Sequence, residues 1–343
     1  MTFSVKIAGR DEPITVEMGQ TILEAAINQG VPYPHGCRSG NCGACKSRLI
    51  SGDVEMSPFS EFALTEDEKQ SGLVLACRSV PWEDSEIAWL GEDETIVHPL
   101  RRMTCRVTAL DDMTHDIKRI RLEILSGGPF SFSAGQYCSL SFADQDARDY
   151  SMGNTPDDAL LEFHIRHVPG GASSAYVAQS LSIGEDVLVE GPFGTSWLRD
   201  AHRGPIVALA GGSGLAPIKS MVEHALKLGM GQDIHLYFGV RGERDLYLED
   251  HFSALHETHS NLHFVPVLSD AGPGTTRRRT GFVHQAVAAD FTELDGCKIY
   301  LAGPPPMVEA ATMMLLDRGA RREDIHADAF YTEADKKSLE NPE

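Results

Sequence analysis

The chain has 343 residues, 42% of them apolar and 23% charged, which at about 150 residues per domain means two or three globular domains and excludes disordered and fibrous classes. Lys and Arg number 30 and Asp and Glu 50, and the net charge of −20 argues against nucleic acid or anionic lipid as partners while permitting a basic protein partner. No apolar run nears ~18 residues, and the opening MTFSVKIAGRDEPITVE lacks the cationic stretch and apolar core of a signal peptide, so no membrane span is expected and the location is read as cytoplasmic.

Phe3–Ile7 and Ile14–Glu17 alternate apolar and polar residues on either side of a turn, which predicts a hairpin. Thr21 is expected to cap a helix carrying Ile22, Leu23, Ala25 and Ala26 that stops at Gly30. Short strands are expected near Lys46–Ile50 and Leu73–Ala76. Between them, Thr65 precedes the acidic run Glu66-Asp67-Glu68 as the cap of a short helix. Gly91-Glu92-Asp93-Glu94 reads as a solvated linker.

Four of the seven cysteines lie in this first quarter. His35-Gly36-Cys37-Arg38-Ser39-Gly40-Asn41-Cys42-Gly43-Ala44-Cys45 contains C-x4-C-x2-C, and Cys77 follows after 31 intervening residues. This is the plant-type spacing for a [2Fe–2S] cluster. Four thiolates must converge on two irons; a tight loop supplies three, and a second segment supplies the fourth. Small residues such as Gly36, Gly40, Gly43 and Ala44 let the loop curl and aim N–H groups at sulfur. Zinc is the competing reading, but zinc sites use paired C-x2-C units and only one such unit is present. Cys105, Cys138 and Cys297 stand alone and are read as buried core.

From residue 100 to 199 the pattern is mostly strand: Thr104–Leu110, Ile117–Ile124, Gln136–Phe142, Leu160–Arg166 and Asp186–Glu190. One helix begins near Ala172. Short strands at this spacing predict an antiparallel barrel. Arg148-Asp149-Tyr150-Ser151 places a guanidinium and a phenol on one strand face, suited to a phosphate and an aromatic ring, with a hydroxyl beside them. His164-Ile165-Arg166 leads to Gly170-Gly171 at a helix start, where free amides suit a pyrophosphate. Taken alone, either motif also occurs in ordinary strands and turns.

After residue 203, strands Ile206–Ala210, Ile234–Val240, Leu262–Leu268 and Lys298–Ala302 alternate with helices Ala216–Leu228, Leu248–His259, His284–Ala289 and Met307–Arg318. Such alternation predicts a parallel sheet covered on both faces. The first strand runs into Gly211-Gly212-Ser213-Gly214-Leu215-Ala216-Pro217, a tight turn able to approach a pyrophosphate. It departs from G-x-G-x-x-G at Pro217, and Arg241 stands where an acidic residue usually ends the second strand. Gly303-Pro304-Pro305-Pro306-Met307 is expected to turn at the same sheet edge. His251, His256, His259 and His263 read as a solvated helix face, Arg277–Arg279 as a solvated loop with 2′-phosphate binding as the lesser reading, and Met313 and Met314 as core. The tail after Phe330 reads as polar and frayed.

Taken in order, these motifs resemble the reductase components of bacterial Rieske-type aromatic-ring-hydroxylating oxygenases, with a layout similar to terephthalate and naphthalene dioxygenase reductases over residues 1–332. The resemblance implies a multidomain chain. An α+β β-grasp ferredoxin domain would span residues 1–92, an antiparallel β-barrel FAD domain 100–199, and a Rossmann-like α/β parallel-sheet NAD(P) domain 203–332. It assigns Cys37, Cys42, Cys45 and Cys77 to the cluster. Arg148, Tyr150, Ser151, His164, Ile165, Arg166, Gly170, Gly171, Ser173 and Ser174 fall to FAD. Gly211, Gly212, Ser213, Gly214, Pro217, Arg241, Gly303, Pro304, Pro305 and Met307 fall to the nicotinamide nucleotide. Phe330 falls where the family places an aromatic against the flavin, and Tyr150, Ser151 and Phe330 are the residues expected at the reacting ring. Ala302 stands where the family often has Cys, so no thiol assists there.

The implied activity carries electrons from NADH, with NADPH also open, through FAD and the [2Fe–2S] cluster to a terminal oxygenase or a separate ferredoxin. No nucleic acid or membrane partner is expected, and the chain is read as a monomer. Residues 1–99 carry 7 basic and 16 acidic side chains, net −9, so the partner is expected to dock on the acidic cluster domain. The competing readings are a reductase for a diiron monooxygenase, a redox-sensing iron–sulfur flavoprotein, and a flavin reductase, which would not need the four cysteines.

Overall fold

A computed structural model describes residues 1–61, 63–90, 98–271 and 276–332. The expected linker at Gly91–Glu94 and the tail beyond residue 332 lie outside the described residues. Backbone proximity divides the chain into two units, residues 1–97 with 331–343, and residues 98–330.

In the first unit the period-two pattern becomes β1 (Thr2–Ile7) and β2 (Ile14–Glu17), paired antiparallel with Phe3 opposite Val16. Val5, Ile7, Ile14 and Val16 all turn to the buried face, as alternation requires. Helix α1 (Ile22–Asn28) starts at Thr21, whose hydroxyl accepts the Glu24 N–H while the Glu24 carboxylate accepts the Thr21 N–H. This reciprocal box satisfies two amides that the helix leaves without partners. Next come β3 (Lys46–Ser51), β4 (Val54–Met56), α2 (Glu66–Gln70), β5 (Leu73–Leu75), β6 (Ser79–Pro81) and β7 (Ser85–Trp89). Thr65 and Glu68 build the same box on α2. The sheet runs β2-β1-β7-β3-β5, with β1 and β7 parallel, and β4 pairs with β6 apart from it. Its core joins α1 to the sheet through Ile22, Leu23, Ala25 and Ala26. Strands β4 and β6, of three residues each, are too short for alternation to reveal from sequence, and β7 is a further strand that the sequence reading did not place.

The second unit opens with a barrel: β8 (Arg101–Asp112), β9 (Ile117–Ser126), β10 (Tyr137–Phe142), β11 (Arg148–Ser151), β12 (Leu161–Arg166), α3 (Ala172–Gln179) and β13 (Asp186–Phe193). Its order is β11-β10-β13-β8-β9-β12, antiparallel throughout. A bridge between Met152 and Phe163 brings the two edges together, so the sheet curls nearly closed. Cys105 and Cys138 are fully buried in this barrel core, and Cys297 is buried further along the chain.

The same unit continues with β14 (Ile206–Gly211), α4 (Leu215–Lys227), β15 (Ile234–Val240), α5 (Glu249–Thr258), β16 (Leu262–Leu268), β17 (Arg279–Thr280), α6 (Val283–Asp290), β18 (Lys298–Gly303), α7 (Pro305–Asp317) and β19 (Ile325–Ala329). All six strands are parallel, ordered β17-β16-β15-β14-β18-β19. Every residue of β14 and β18 is buried, as central strands covered on both faces require. Because these two strands are neighbours, the turns that follow them leave the same edge.

Two sequence expectations are corrected. Met313 is not core: it is 67% exposed, because α7 buries Val308, Ala311, Thr312 and Leu315, and position 313 lies about 100° round the helix from 312. Arg277–Arg279 is not simply a solvated loop: Arg279 opens β17, and Arg278 and Arg279 are held by carboxylates. The α5 histidines are bonded within the fold, His251 to Glu223 on α4 and His256 to the Leu262 carbonyl. No helix among the described residues is long and apolar enough to cross a membrane.

Candidate functional site

The cysteine loop is organised by its own amides. Cys37 Sγ accepts the N–H of Asn41 at 3.2 Å and of Ser39 at 3.5 Å, and Cys42 Sγ accepts the N–H of Cys37 at 3.3 Å. Cys45 and Cys77 are buried with their sulfurs 3.2 Å apart, and all four thiols are free of disulfides. A Cβ on Gly36 would stand 3.0 Å from Cys42 Sγ, so a larger residue there would make the sulfur shift by a few tenths of an ångström. Soft thiol donors in two close pairs, with amides aimed at sulfur, fit an iron–sulfur cluster. The adjoining Cys45 and burial push the Cys77 thiol far up, so forming the thiolates that bind iron must release protons.

On the barrel, register with β10 sets Arg148 opposite Leu140 and Tyr150 opposite Cys138. Tyr150 packs edge-on to Phe142, and burial pushes its phenol up to about 12, so it stays neutral. Arg148 is half-exposed, donates to the adjacent Ala147 carbonyl, and stands 3.8 Å from Asp146. Ser173 Oγ donates to the Asp146 carbonyl at 2.9 Å, which ties the start of α3 to the turn before Arg148. Gly171 caps α3 without a side-chain bond, so the first-turn amides stay available to an anion. Ser174 Oγ accepts the Val168 N–H at 3.1 Å and donates to the Gly171 carbonyl at 3.1 Å, bracing the Gly170 turn. Arg148, the glycine pair and Ser173 therefore share one region, and the set fits the phosphates of a dinucleotide such as FAD.

His164 and Ile165 sit differently. Both side chains are buried, Ile165 in the barrel core, so only their backbones can meet a cofactor. Ser151 Oγ donates to Asp328 at 2.9 Å, a partner on β19 that no local sequence signal marks. Phe330 follows directly, with its N–H donated to the Gly303 carbonyl at 2.9 Å.

The turns after β14 and β18 interlock. A Cβ on Gly214 would lie 2.1 Å from the Ala302 carbonyl oxygen, and one on Gly211 would lie 2.5 Å from Met307 Sδ. Gly211, Gly212, Arg166, Arg241, Pro304 and Met307 line a single cleft at this edge. Pro217 is buried in the first turn of α4, and α7 starts at Pro305, where a missing N–H costs nothing. Arg241 donates to Asp245 at 2.9 Å, and Arg166 to Asp116 at 2.9 Å. Half-exposed Phe282 also lines the cleft and has no motif to announce it.

Barrel and parallel sheet meet at a buried ionic seam that sequence reasoning missed. Glu162 accepts from His164 Nε2 and Arg121 Nε, both at 3.1 Å, and Lys219 Nζ lies 3.2 Å away. Lys219 also donates to the Gly153 carbonyl at 2.9 Å. Burial alone would raise the Glu162 carboxyl, but the His164 hydrogen bond and the Lys219 charge hold it well below the usual range. A lysine on the apolar stripe of α4 is the one sequence signal that marked this seam.

The chain matches family models described as a 2Fe-2S iron–sulfur cluster binding domain over residues 5–81, an oxidoreductase FAD-binding domain over 104–197 and an oxidoreductase NAD-binding domain over 208–313. It is 42% identical over 322 residues to the ferredoxin–NAD(P)+ reductase component of the naphthalene 1,2-dioxygenase/salicylate 5-hydroxylase systems of a Ralstonia species, covering 93% of this chain and 95% of that protein. It is 37% identical to the reductase component of a Pseudomonas phenol 2-monooxygenase, over 98% of this chain and 96% of that protein. The crystal structure of an Amycolatopsis cytochrome P450 reductase superposes with a TM-score of 0.79 at 38% identity, over 96% of this chain and 99% of the other. With this similarity running nearly end to end, and with the four thiols, the barrel and the interlocked glycine turns in place, the chain belongs to the family of ferredoxin–NAD(P)+ reductase components of oxygenase systems.

Proposed function

We propose that this protein is an NADH-dependent reductase that supplies an oxygenase system with single electrons. The observation that carries this reading is the interlock of the Gly211–Gly214 and Gly303–Met307 turns around one cleft, in the same unit as the Arg148–Ser151 strand. FAD, when bound, accepts electrons in pairs and releases them singly, a conversion that the protein supports by position and electrostatics. In this reading residues 1–92, 100–199 and 203–332 are the working domains for cluster, flavin and nicotinamide nucleotide. Cys37, Cys42, Cys45 and Cys77 would hold the iron. Arg148 and the amides of Gly171–Ser174 would hold the flavin phosphates, and Tyr150, Ser151 and Phe330 would position its ring. The nucleotide would lie along Gly211–Gly214 and Gly303–Met307, with Arg166 and Arg241 at the cleft wall. No side chain need act as general acid or base.

The acceptor is read as a terminal ring-hydroxylating oxygenase or a separate ferredoxin, docked on the acidic residues 1–99 of a monomeric, cytoplasmic protein. The relative named as the reductase component of a phenol 2-monooxygenase favours a second acceptor class, a monooxygenase, for which the sequence reading offers a diiron enzyme. The test is anaerobic addition of NADH to the loaded protein. Bleaching of the flavin absorbance with a reduced-cluster paramagnetic signal is expected. Bleaching with a cluster that stays oxidised would overturn the electron chain.

A further inference from the structure

Gly212 opens the short 3-10 turn Gly212–Gly214 at φ +56°, a region glycine enters and leaves at little cost. Its carbonyl oxygen has two lone pairs. One takes the Leu215 N–H within the turn, and the other takes the Tyr247 hydroxyl at 3.2 Å. In a planar trans peptide the carbonyl and the following N–H point in opposite directions. Holding the Gly212 oxygen toward the buried tyrosine therefore aims the Ser213 N–H away from it. Gly212 itself lines the cleft.

Tyr247 is built for this task. It is 4% exposed, wedged edge-on between His164 and Phe238 at ring-centroid distances of 5.4 and 5.5 Å. Its oxygen lies 3.0 Å from His164 Nδ1. His164 Nε2 faces Glu162, and a carboxylate only accepts, so neutral His164 carries its proton on Nε2 and presents the Nδ1 lone pair to the tyrosine. Tyr247 has one hydroxyl proton and faces two acceptors, so that proton is divided in a three-centre bond between the Nδ1 lone pair of the barrel histidine and the glycine-turn carbonyl of the parallel sheet. The 3-10 turn Glu243–Asp245 that delivers Tyr247 also holds Arg241 through Asp245.

We propose that Tyr247 is a positioning residue for the nicotinamide nucleotide: its hydroxyl fixes the Gly212–Ser213 peptide so that the Ser213 amide faces the dinucleotide, and His164 and Glu162 hold the tyrosine in place. This rests on the functional reading above.

The test is steady-state NADH-driven reduction of an artificial dye by the purified protein carrying FAD and cluster, together with calorimetric binding of NAD+ to the oxidised protein. Tyr247→Phe keeps the ring packing and removes only the hydroxyl. Its KM for NADH is expected to rise roughly three- to tenfold, and NAD+ binding to weaken by the same factor, while kcat and FAD content stay within about twofold. Tyr237→Phe is the control, since that hydroxyl bonds Asp290 away from the cleft, and both parameters should hold. An unmoved KM in Tyr247→Phe would overturn the inference, as would FAD content or kcat falling by the same factor as NADH affinity. Absence of dye reduction in the unmodified protein would instead overturn the functional reading, and this inference with it.

Discussion

Ser151 on β11 donates its hydroxyl to the Asp328 carboxylate on β19 at 2.9 Å, joining barrel to parallel sheet across 177 residues of sequence. A hydrogen bond to a charged group is worth about 1.5–3 kcal/mol when buried. Ser151→Ala and Asp328→Asn are each expected to lower NADH-driven dye reduction by about tenfold, and the double variant to be little worse than either. Multiplicative losses in a three-variant kinetic comparison would show that the two residues act separately.

Cys42→Ser removes one thiolate from the loop and should abolish the reduced-cluster signal. Flavin reduction by NADH uses the other unit and should stay within about twofold. Stopped-flow absorbance and paramagnetic resonance on the same sample check both halves. Loss of flavin reduction in a variant that still carries FAD would contradict the expectation.

Glu162 makes a signed prediction about pH. Its folded-state carboxyl lies below the ordinary value of 4.5, so its contribution to stability is full above that pH and is lost as pH falls through the lower folded value. Unfolding midpoints measured from pH 6 downward should drop below about pH 4.5, and Glu162→Gln should flatten that limb. Lys219→Met leaves the carboxylate short of a buried cation and is expected to destabilise the second unit by about 3–5 kcal/mol at pH 7.

Coenzyme choice should favour NADH. Arg278 is held by Glu243 and Glu249, Arg279 by Asp290, and Arg241 by Asp245, so each of these guanidiniums already answers to a carboxylate. A 2′-phosphate bound at any of these three would have to displace a carboxylate. kcat/KM for NADH is expected to exceed that for NADPH by about tenfold or more, a difference of ~1.4 kcal/mol. Equal values in parallel titrations would show that one of these arginines releases its partner or that exposed Arg277 takes the phosphate.

Electron delivery should depend on salt. Residues 1–99 carry net −9, and steering by such a field typically raises association rates ~10-fold or more at low ionic strength. The rate of electron transfer to the oxygenase partner should fall steadily as salt rises past the screening length. A rate indifferent to ionic strength would place the docking energy in apolar contacts instead.

The cofactor motifs were legible in sequence because their constraints are local. Cysteine spacing, a glycine turn after a strand, and a Thr-x-x-Glu cap each fix geometry within a few residues, and the caps at Thr21 and Thr65 formed as read. Alternation likewise exposed the first hairpin and most barrel strands, since a pleated strand shows its faces in its own sequence. Strand order, the approach of Gly214 to Ala302, the Ser151–Asp328 bond and the Tyr247–Gly212 bond were decided by tertiary structure alone. Each joins groups far apart in the chain, and a side chain's partner is chosen by which elements pack together. The same reason explains Met313, exposed because α7 presents a neighbouring stripe to the core, and Arg278 and Arg279, whose charge the fold commits to Glu243, Glu249 and Asp290. The sequence by itself thus determined which cofactors the chain is built for; the packing of barrel against sheet decided which side chains hold those sites in register.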